Sequence, residues 1–122
     1  MKNDQELKKI VKDRYTEIAV GTTGSCCGPG AQSGCGCGQD FVDFSEGYSG
    51  LDGYEKDADL GLGCGLPTEW AGIEKGQTVL DLGSGAGNDV FVARALVGDS
   101  GRVIGVDMVP EMVAKARLNA GK

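Results

Sequence analysis

The residues with the clearest chemical potential in this chain are an aspartate and three glycines at the end of an apolar run. The run 78–82 contains Asp81, and Gly83, Gly85 and Gly87 follow before the chain becomes apolar at helical spacing. This order predicts a strand, a tight turn and the start of a helix. Glycines permit positive φ and let a ligand lie against bare backbone, and the free N–H groups at a helix start face that ligand. The stretch therefore predicts a ligand-binding turn.

A second acid indicates the kind of ligand. Asp107 follows the second predicted strand, and an acid at that strand end binds the hydroxyls of an adenosine ribose. The motif Asp-x-Gly-x-Gly-x-Gly, with a strand and an acid after it, resembles motif I and the second-strand acid of the seven-strand S-adenosylmethionine-dependent methyltransferases. Two alternatives stay open: a nicotinamide site, which expects glycine where Asn88 stands, and a glycine-rich turn that binds nothing.

The five cysteines are a second source of chemistry in a chain that contains no histidine. Cys26–Cys27 and the Cys35-x-Cys37 pair lie in a glycine-rich stretch, and Cys64 stands between two glycines just upstream of the predicted turn. This spacing differs from the C-x₂₋₄-C pairs typical of zinc sites, whereas soft thiolates also suit copper(I) and trivalent arsenic. From spacing alone, Cys64 is either a ligand beside the methyl donor or a small buried apolar residue.

Composition and charge exclude several classes of partner. The net charge of −6 and the absence of a basic run argue against nucleic acid, whose binding depends on clustered Lys and Arg. The first nine residues lack the apolar core of a signal peptide, and no stretch approaches the roughly 20 apolar residues of a membrane span. We therefore expect a cytoplasmic protein with reduced thiols and no nucleic-acid or membrane partner.

The N-terminal part of the chain predicts one helix and one loop. Apolar residues at three- and four-residue steps predict an amphipathic helix over 4–20, with a capping box from Asn3 and Glu6 and a stop at Gly21. Its apolar stripe can pack only on the sheet that follows, as a lid or docking helix, unless the helix binds a partner. Residues 21–40 contain seven glycines and almost no large apolar side chain, so we expect a loop that is mobile until a ligand holds it.

The order from residue 67 onward predicts an α/β unit of Rossmann-like type. After a short helical turn near 68–71, the predicted elements are a strand (78–82), a helix (87–97), a strand (102–106) and a helix (110–120). Two strands joined by a crossover helix are parallel and normally belong to a larger sheet. We therefore expect an N-terminal helix and Cys/Gly-rich region over 1–66, and over 67–122 the first half of a Rossmann-like domain with only its first two strands. The open sheet edges favour self-association or completion by further chain.

Several segments together resemble the arsenite methyltransferases. They are Val11-Lys-Asp-Arg-Tyr15 in the N-terminal helix, the cysteine-bearing loop, Leu62-Gly-Cys-Gly-Leu66, the stretch Val79–Asp89 and Gly105-Val-Asp-Met108. The similarity extends over most of the chain from about residue 8, and its most specific piece is Gly63-Cys64-Gly65-Leu66 before motif I. The resemblance implies S-adenosylmethionine as the methyl donor, arsenite, free or thiol-conjugated, as the acceptor, and a thiol reductant.

The resemblance also implies roles for single residues. Cys64 is one of the thiolates that hold trivalent arsenic, and Cys26 or Cys27 takes part in metalloid capture or disulfide exchange. Cys35 and Cys37 have no counterpart, so they are either extra capture residues or exposed loop thiols. The residues implied to bind the donor are Asp81, Gly83, Ser84, Gly85, Gly87, Asn88, Asp107, which takes the ribose hydroxyls, and Met108, which meets the adenine edge. Asp81 either contacts the donor's amino group or fixes the loop.

The implied reaction is a methyl transfer in which the arsenic lone pair attacks the sulfonium methyl in line. Positioning carries most of such a reaction, because the attacking atom has no proton to remove. Two alternatives remain: a methyltransferase for another small molecule, and a non-enzymatic metal or metalloid binder. Since two further arsenic ligands have no match in these residues, we expect the 122-residue chain alone to be inactive.

Overall fold

The computed structural model describes residues 3–21, 44–62 and 65–122. The helices are α1 (Asp4–Val20), α2 (Pro67–Trp70), α3 (Asn88–Val97) and α4 (Pro110–Ala120); the strands are β1 (Thr78–Leu82) and β2 (Arg102–Val106), and a 3-10 helix covers Phe44–Gly50. The predicted α/β order is confirmed. Of the predicted loop 21–40, only Gly21 is among the described residues. The five cysteines also lie outside them: Cys26, Cys27, Cys35, Cys37 and Cys64.

Local signals fix both ends of α1 as predicted. The Glu6 N–H donates to Asn3 Oδ1 at 2.8 Å and the Asn3 N–H donates to Glu6 Oε2 at 3.0 Å. These reciprocal bonds satisfy two backbone donors that the first helical turn would otherwise leave free. At the other end Gly21 has φ 70° and its N–H donates to Ile18 O, which closes the helix.

The strands form the predicted parallel pair. Thr78 aligns with Arg102 and Leu82 with Val106, so both strands end together. Helix α3 makes the crossover between them and begins at Asn88 because Gly87, with φ 101°, is its N-cap. The carboxyl ends of the strands, and the loops that follow them, therefore meet at one edge of the sheet.

The hydrophobic core lies around α3 and is completed by the 3-10 helix and the segment that follows it. Its buried apolar residues are Tyr48, Ala58, Ala86, Val92, Ala93, Val97, Val109 and Met112. In contrast, the strand residues Leu80 and Leu82 are 58% and 75% exposed. One face of the two-stranded sheet is thus packed and the other is open.

Helix α1 packs mainly against α4. The prediction that its apolar stripe would pack on the sheet was wrong. Thr16 Oγ1 donates to Glu111 Oε2 at 3.4 Å, and no residue of α1 is buried. The difference arises because α4 begins directly after β2 and presents its first turn to the helix. Within the described part of the chain, no helix has the length and apolar character needed to cross a bilayer.

Candidate functional site

A cavity of about 740 Å³ opens at the carboxyl ends of β1 and β2. The loops after both strands form its floor, the segment 58–62 forms one wall and α1 contributes another. The lining residues are Val11, Tyr15, Ala58, Asp59, Leu60, Leu62, Leu82, Gly83, Ser84, Gly85, Ala86, Asn88, Asp89, Val106, Asp107, Met108, Val109 and Met112. Ligands of open parallel sheets bind in this position.

The glycine turn is fastened to the end of β2. The N–H groups of Gly83 and Ser84 both donate to the carbonyl of Val106, at 2.7 and 3.0 Å. Gly83 and Gly85 have φ of 82° and 53°, and no atom lies within 4 Å of the place where a Cβ would stand on either. Their backbone therefore faces open space, as a turn that receives a ligand requires.

Gly87 serves a different purpose from the two glycines before it. A Cβ there would lie 2.8 Å from the Phe91 ring, and the residue adopts φ 101° as the N-cap of α3. It does not line the cavity. Helix packing and backbone conformation explain why glycine occupies this position. The predicted contact of Gly87 with the donor stays a prediction.

The second acid meets the glycine turn directly. Asp107 Oδ2 accepts from the Gly85 N–H at 2.9 Å, and Oδ1 accepts from the Val109 N–H at 2.8 Å. Each carboxylate oxygen keeps a second lone pair for a ligand hydroxyl. The structure thus brings together the two motifs that the sequence separates by more than 20 residues.

Asp59, Asp89 and Asp107 line the cavity, and Asp81 lies close enough to Asp89 and Asp107 to be affected by their charges. Burial, followed by the charges of Asp89 and Asp107, raises the pKa of Asp81 above its ordinary value. Burial also raises the pKa of Asp89, although its hydrogen bond from Tyr48 opposes this shift. No ion pair joins these acids to a Lys or Arg among the residues that the structure describes. Such a site favours a cationic ligand.

Asn88 offers a further polar group to a ligand. It lines the cavity, and its side-chain oxygen is buried without a hydrogen-bond partner in the described part of the chain. A buried acceptor of this kind costs free energy until a donor pairs with it. Met108, 55% exposed, lies beside Asp107 at the cavity mouth.

Six of the predicted donor-binding residues line the cavity: Gly83, Ser84, Gly85, Asn88, Asp107 and Met108. Asp81 and Gly87 do not line it. The predicted arsenic ligands Cys64, Cys26 and Cys27 lie outside the described residues. Among the described residues, no group of three His, Cys, Asp or Glu could hold a metal ion.

Sequence reasoning missed several parts of the lining, including the wall formed by the segment 58–62. Asp89 follows motif I directly, and its position in the first turn of α3 could have indicated a ligand-facing acid. Val11 and Tyr15 belong to the apolar stripe of α1, whose lid role was predicted without naming which residues would face the ligand.

Comparison with known proteins indicates the class. Residues 73–122 match the family described as "Methyltransferase domain". With the parallel strands and the cavity at their carboxyl ends, the fold is Rossmann-like, of the S-adenosylmethionine-dependent methyltransferase type, and the predicted fold class is confirmed.

The chain is also similar to individual methyltransferases. The chain is 46% identical to an arsenite methyltransferase of Halobacterium salinarum, over 99% of this chain and 33% of the relative. It is 52% identical to an arsenite methyltransferase of Aquipseudomonas alcaligenes, over 47% of this chain and 16% of the relative. A protein-L-isoaspartate O-methyltransferase of Methanococcus maripaludis is 34% identical over 50% of this chain and 34% of the relative.

The resemblance to arsenite methyltransferases is thereby confirmed. The chain spans about a third of the length of the Halobacterium relative. No solved structure matches the chain significantly.

Proposed function

We propose that this protein is an S-adenosylmethionine-dependent arsenite methyltransferase. The observation that carries the proposal is the meeting of Asp107 with the Gly85 amide inside an acid-lined cavity. This observation occurs in a chain that resembles arsenite methyltransferases along 99% of its length. Similarity to the isoaspartate methyltransferase is limited to half of the chain, so it supports the donor half of the proposal only.

In this proposal the described residues bind the donor. Asp107 accepts the ribose hydroxyls, the backbone at Gly83 and Gly85 lies against the donor, and Met108 covers the adenine edge. Asp89 and Asp81 attract the positive charge of the donor, which supplies an activated methyl group on a sulfonium. Because no Lys or Arg of the described residues pairs with these acids, a cationic donor relieves their mutual repulsion as it binds.

The acceptor half of the proposal depends on thiolates. Cys64 holds trivalent arsenic, with Cys26 or Cys27 in capture or disulfide exchange, and a thiol reductant restores the cysteines after use. Thiolates are soft ligands that suit this metalloid. A cytoplasmic location belongs to the same proposal. The thiolates must stay reduced to hold arsenic, and the cytosol keeps cysteines reduced. Self-association through the open edges of β1 and β2 is a further part of it.

Asp107→Ala tests the donor site. The affinity for S-adenosylmethionine, measured by calorimetry on the 122-residue chain, should fall by about 1–3 kcal/mol because ligand hydroxyls lose their acceptor. Asp99→Ala is the matched control, since it removes an exposed carboxylate that pairs with Arg94 outside the cavity. Unchanged affinity in the Asp107 variant would refute the assignment.

Cys64→Ser tests the acceptor site separately. Arsenite titrated into the reduced chain should develop thiolate-to-arsenic absorbance, and the variant should bind arsenite about tenfold or more weakly because one strong ligand is lost. Its donor affinity should stay as in the parent chain. If the variant binds arsenite as tightly as the parent, Cys64 is not a ligand, while the donor assignment can still stand.

A further inference from the structure

Tyr48 joins two parts of the molecule that the proposed reaction must keep together. Its side chain is 1% exposed, and its hydroxyl lies 2.6 Å from the carbonyl oxygen of Gly65 and 2.8 Å from Asp89 Oδ1. Gly65 directly follows Cys64 in the sequence. Asp89 lies in the first turn of α3 and lines the cavity. It directly follows the glycine turn and Asn88, and residues 83–88 are called the donor loop below because the proposed function assigns them to the donor.

Both short contacts use the hydroxyl of Tyr48 as the donor. The Gly65 carbonyl and the Asp89 carboxylate are both acceptors, so they share its single proton. One buried hydroxyl therefore ties the backbone at Gly65 to the start of α3.

A second contact acts at the same place on the chain. A Cβ on Gly47 would lie 2.6 Å from Leu66 Cδ1, so the residue before Tyr48 packs closely on the residue after Gly65. Gly65 itself has φ 123°, a conformation that L side chains rarely adopt. Residues 47–48 thus hold residues 65–66 in a defined and unusual backbone conformation.

We propose that Tyr48 is a positioning residue, which fixes the backbone directly after Cys64 to Asp89 at the start of α3 and so keeps the acceptor segment beside the donor loop. The inference rests on the proposed function, because it gives the anchored segment the task of presenting the acceptor thiolate. Tyr48 acts through Gly65 and does not line the cavity.

The test uses the chain with Cys26, Cys27, Cys35 and Cys37 replaced by Ser, so that Cys64 is the one remaining thiol. The rate of Cys64 alkylation by iodoacetamide is measured with and without S-adenosylmethionine, at equal donor occupancy in every variant. If Tyr48 keeps Cys64 beside the donor, the donor slows alkylation in the parent. In Tyr48→Phe this protection should fall by about tenfold, because the Gly65 carbonyl loses its buried donor.

Tyr54→Phe is the matched control. It removes an equivalent tyrosine hydroxyl that donates to an aspartate, Asp59, at 3.2 Å, but it does not touch Gly65. Protection should persist in this variant. Equal protection in the parent and in both variants, or none in a parent that binds the donor, overturns the positioning role. Absence of donor binding by the parent overturns the proposed function together with the inference.

Protection in the parent is a measurement that does not require Tyr48→Phe to fold. If the parent binds the donor and Cys64 is alkylated at the same rate with and without it, the positioning role is overturned whatever the variant does.

Discussion

The surroundings of Asp81 disfavour the ionised form of its carboxyl group. It stands in β1, partly buried, and burial and the neighbouring Asp89 and Asp107 raise its pKa. The folded protein therefore favours the protonated form more than the unfolded chain does. The stabilising contribution is complete below the ordinary pKa of 3.8 and is lost as the pH rises through the raised value.

Asp81→Asn tests this consequence at the level of stability. The neutral amide should raise the free energy of unfolding at neutral pH and flatten its dependence on pH above 4, because no charge is then forced into the acid cluster. Urea unfolding without ligand at several pH values gives the comparison, with Asp52→Asn as a control at an exposed acid. A variant less stable than the parent at neutral pH would show that the Asp81 charge stabilises the fold.

Gly105 illustrates the constraint that one element places on another. It lies in β2, where a Cβ would stand 2.8 Å from Ser84 Oγ and 2.9 Å from Val90 Cγ2. The strand can approach the donor loop and α3 only because this residue has no side chain. Asn119 supports the same loop from α4, with its Nδ2 donating to the Ala86 carbonyl at 3.3 Å.

Gly105→Ala should therefore disturb the loop through the strand. We expect a loss of about 1–3 kcal/mol in the free energy of unfolding, since the added methyl forces neighbouring atoms to move, and weaker donor binding. Gly50→Ala is a suitable control because no atom lies within 4 Å of its Cβ position. Chemical denaturation and donor titration of both variants decide the matter. Full retention of stability and donor affinity in Gly105→Ala would show that the loop adapts freely.

At the same scale, local signals explain which elements could be predicted. The capping residues Asn3 and Gly21, the apolar runs of the strands and Pro110 at the start of α4 each act within a few residues, so the sequence predicts their outcome. The packing partner of α1 could not be predicted, because its stripe specifies an apolar face and not which surface covers it. The contact of Tyr48 with Asp89 also joins residues 41 positions apart and has no local pattern. The site followed the same rule: motif I and Asp107 were readable, whereas the walls were not.

At the scale of the whole molecule, the two-stranded sheet has one packed face and one open face. Leu80 is 58% exposed, and the described residues provide no third strand for either edge. Unpaired edges with exposed apolar side chains favour pairing with another chain. We expect this surface to be where copies of the chain associate.

Leu80→Lys tests the association, because a charge on an edge strand opposes pairing. Sedimentation velocity over a range of concentrations should show association of the parent and a shift towards monomer in the variant. Val20→Lys adds the same charge at an exposed residue of α1 and should leave the association unchanged. A parent that sediments as a monomer throughout would contradict self-association.

The bonds from Gly83 and Ser84 to the Val106 carbonyl have a mechanical consequence. They attach the turn after β1 to the last residue of β2. The turn therefore keeps its shape only while the two strands stay paired in register. A ligand bound at this turn would stabilise the pairing of the two strands. Separation of the strands at this end would release the ligand. Occupancy should accordingly slow the exchange of the Gly83 and Ser84 amide hydrogens and of the strand-pair amides together, as one unit.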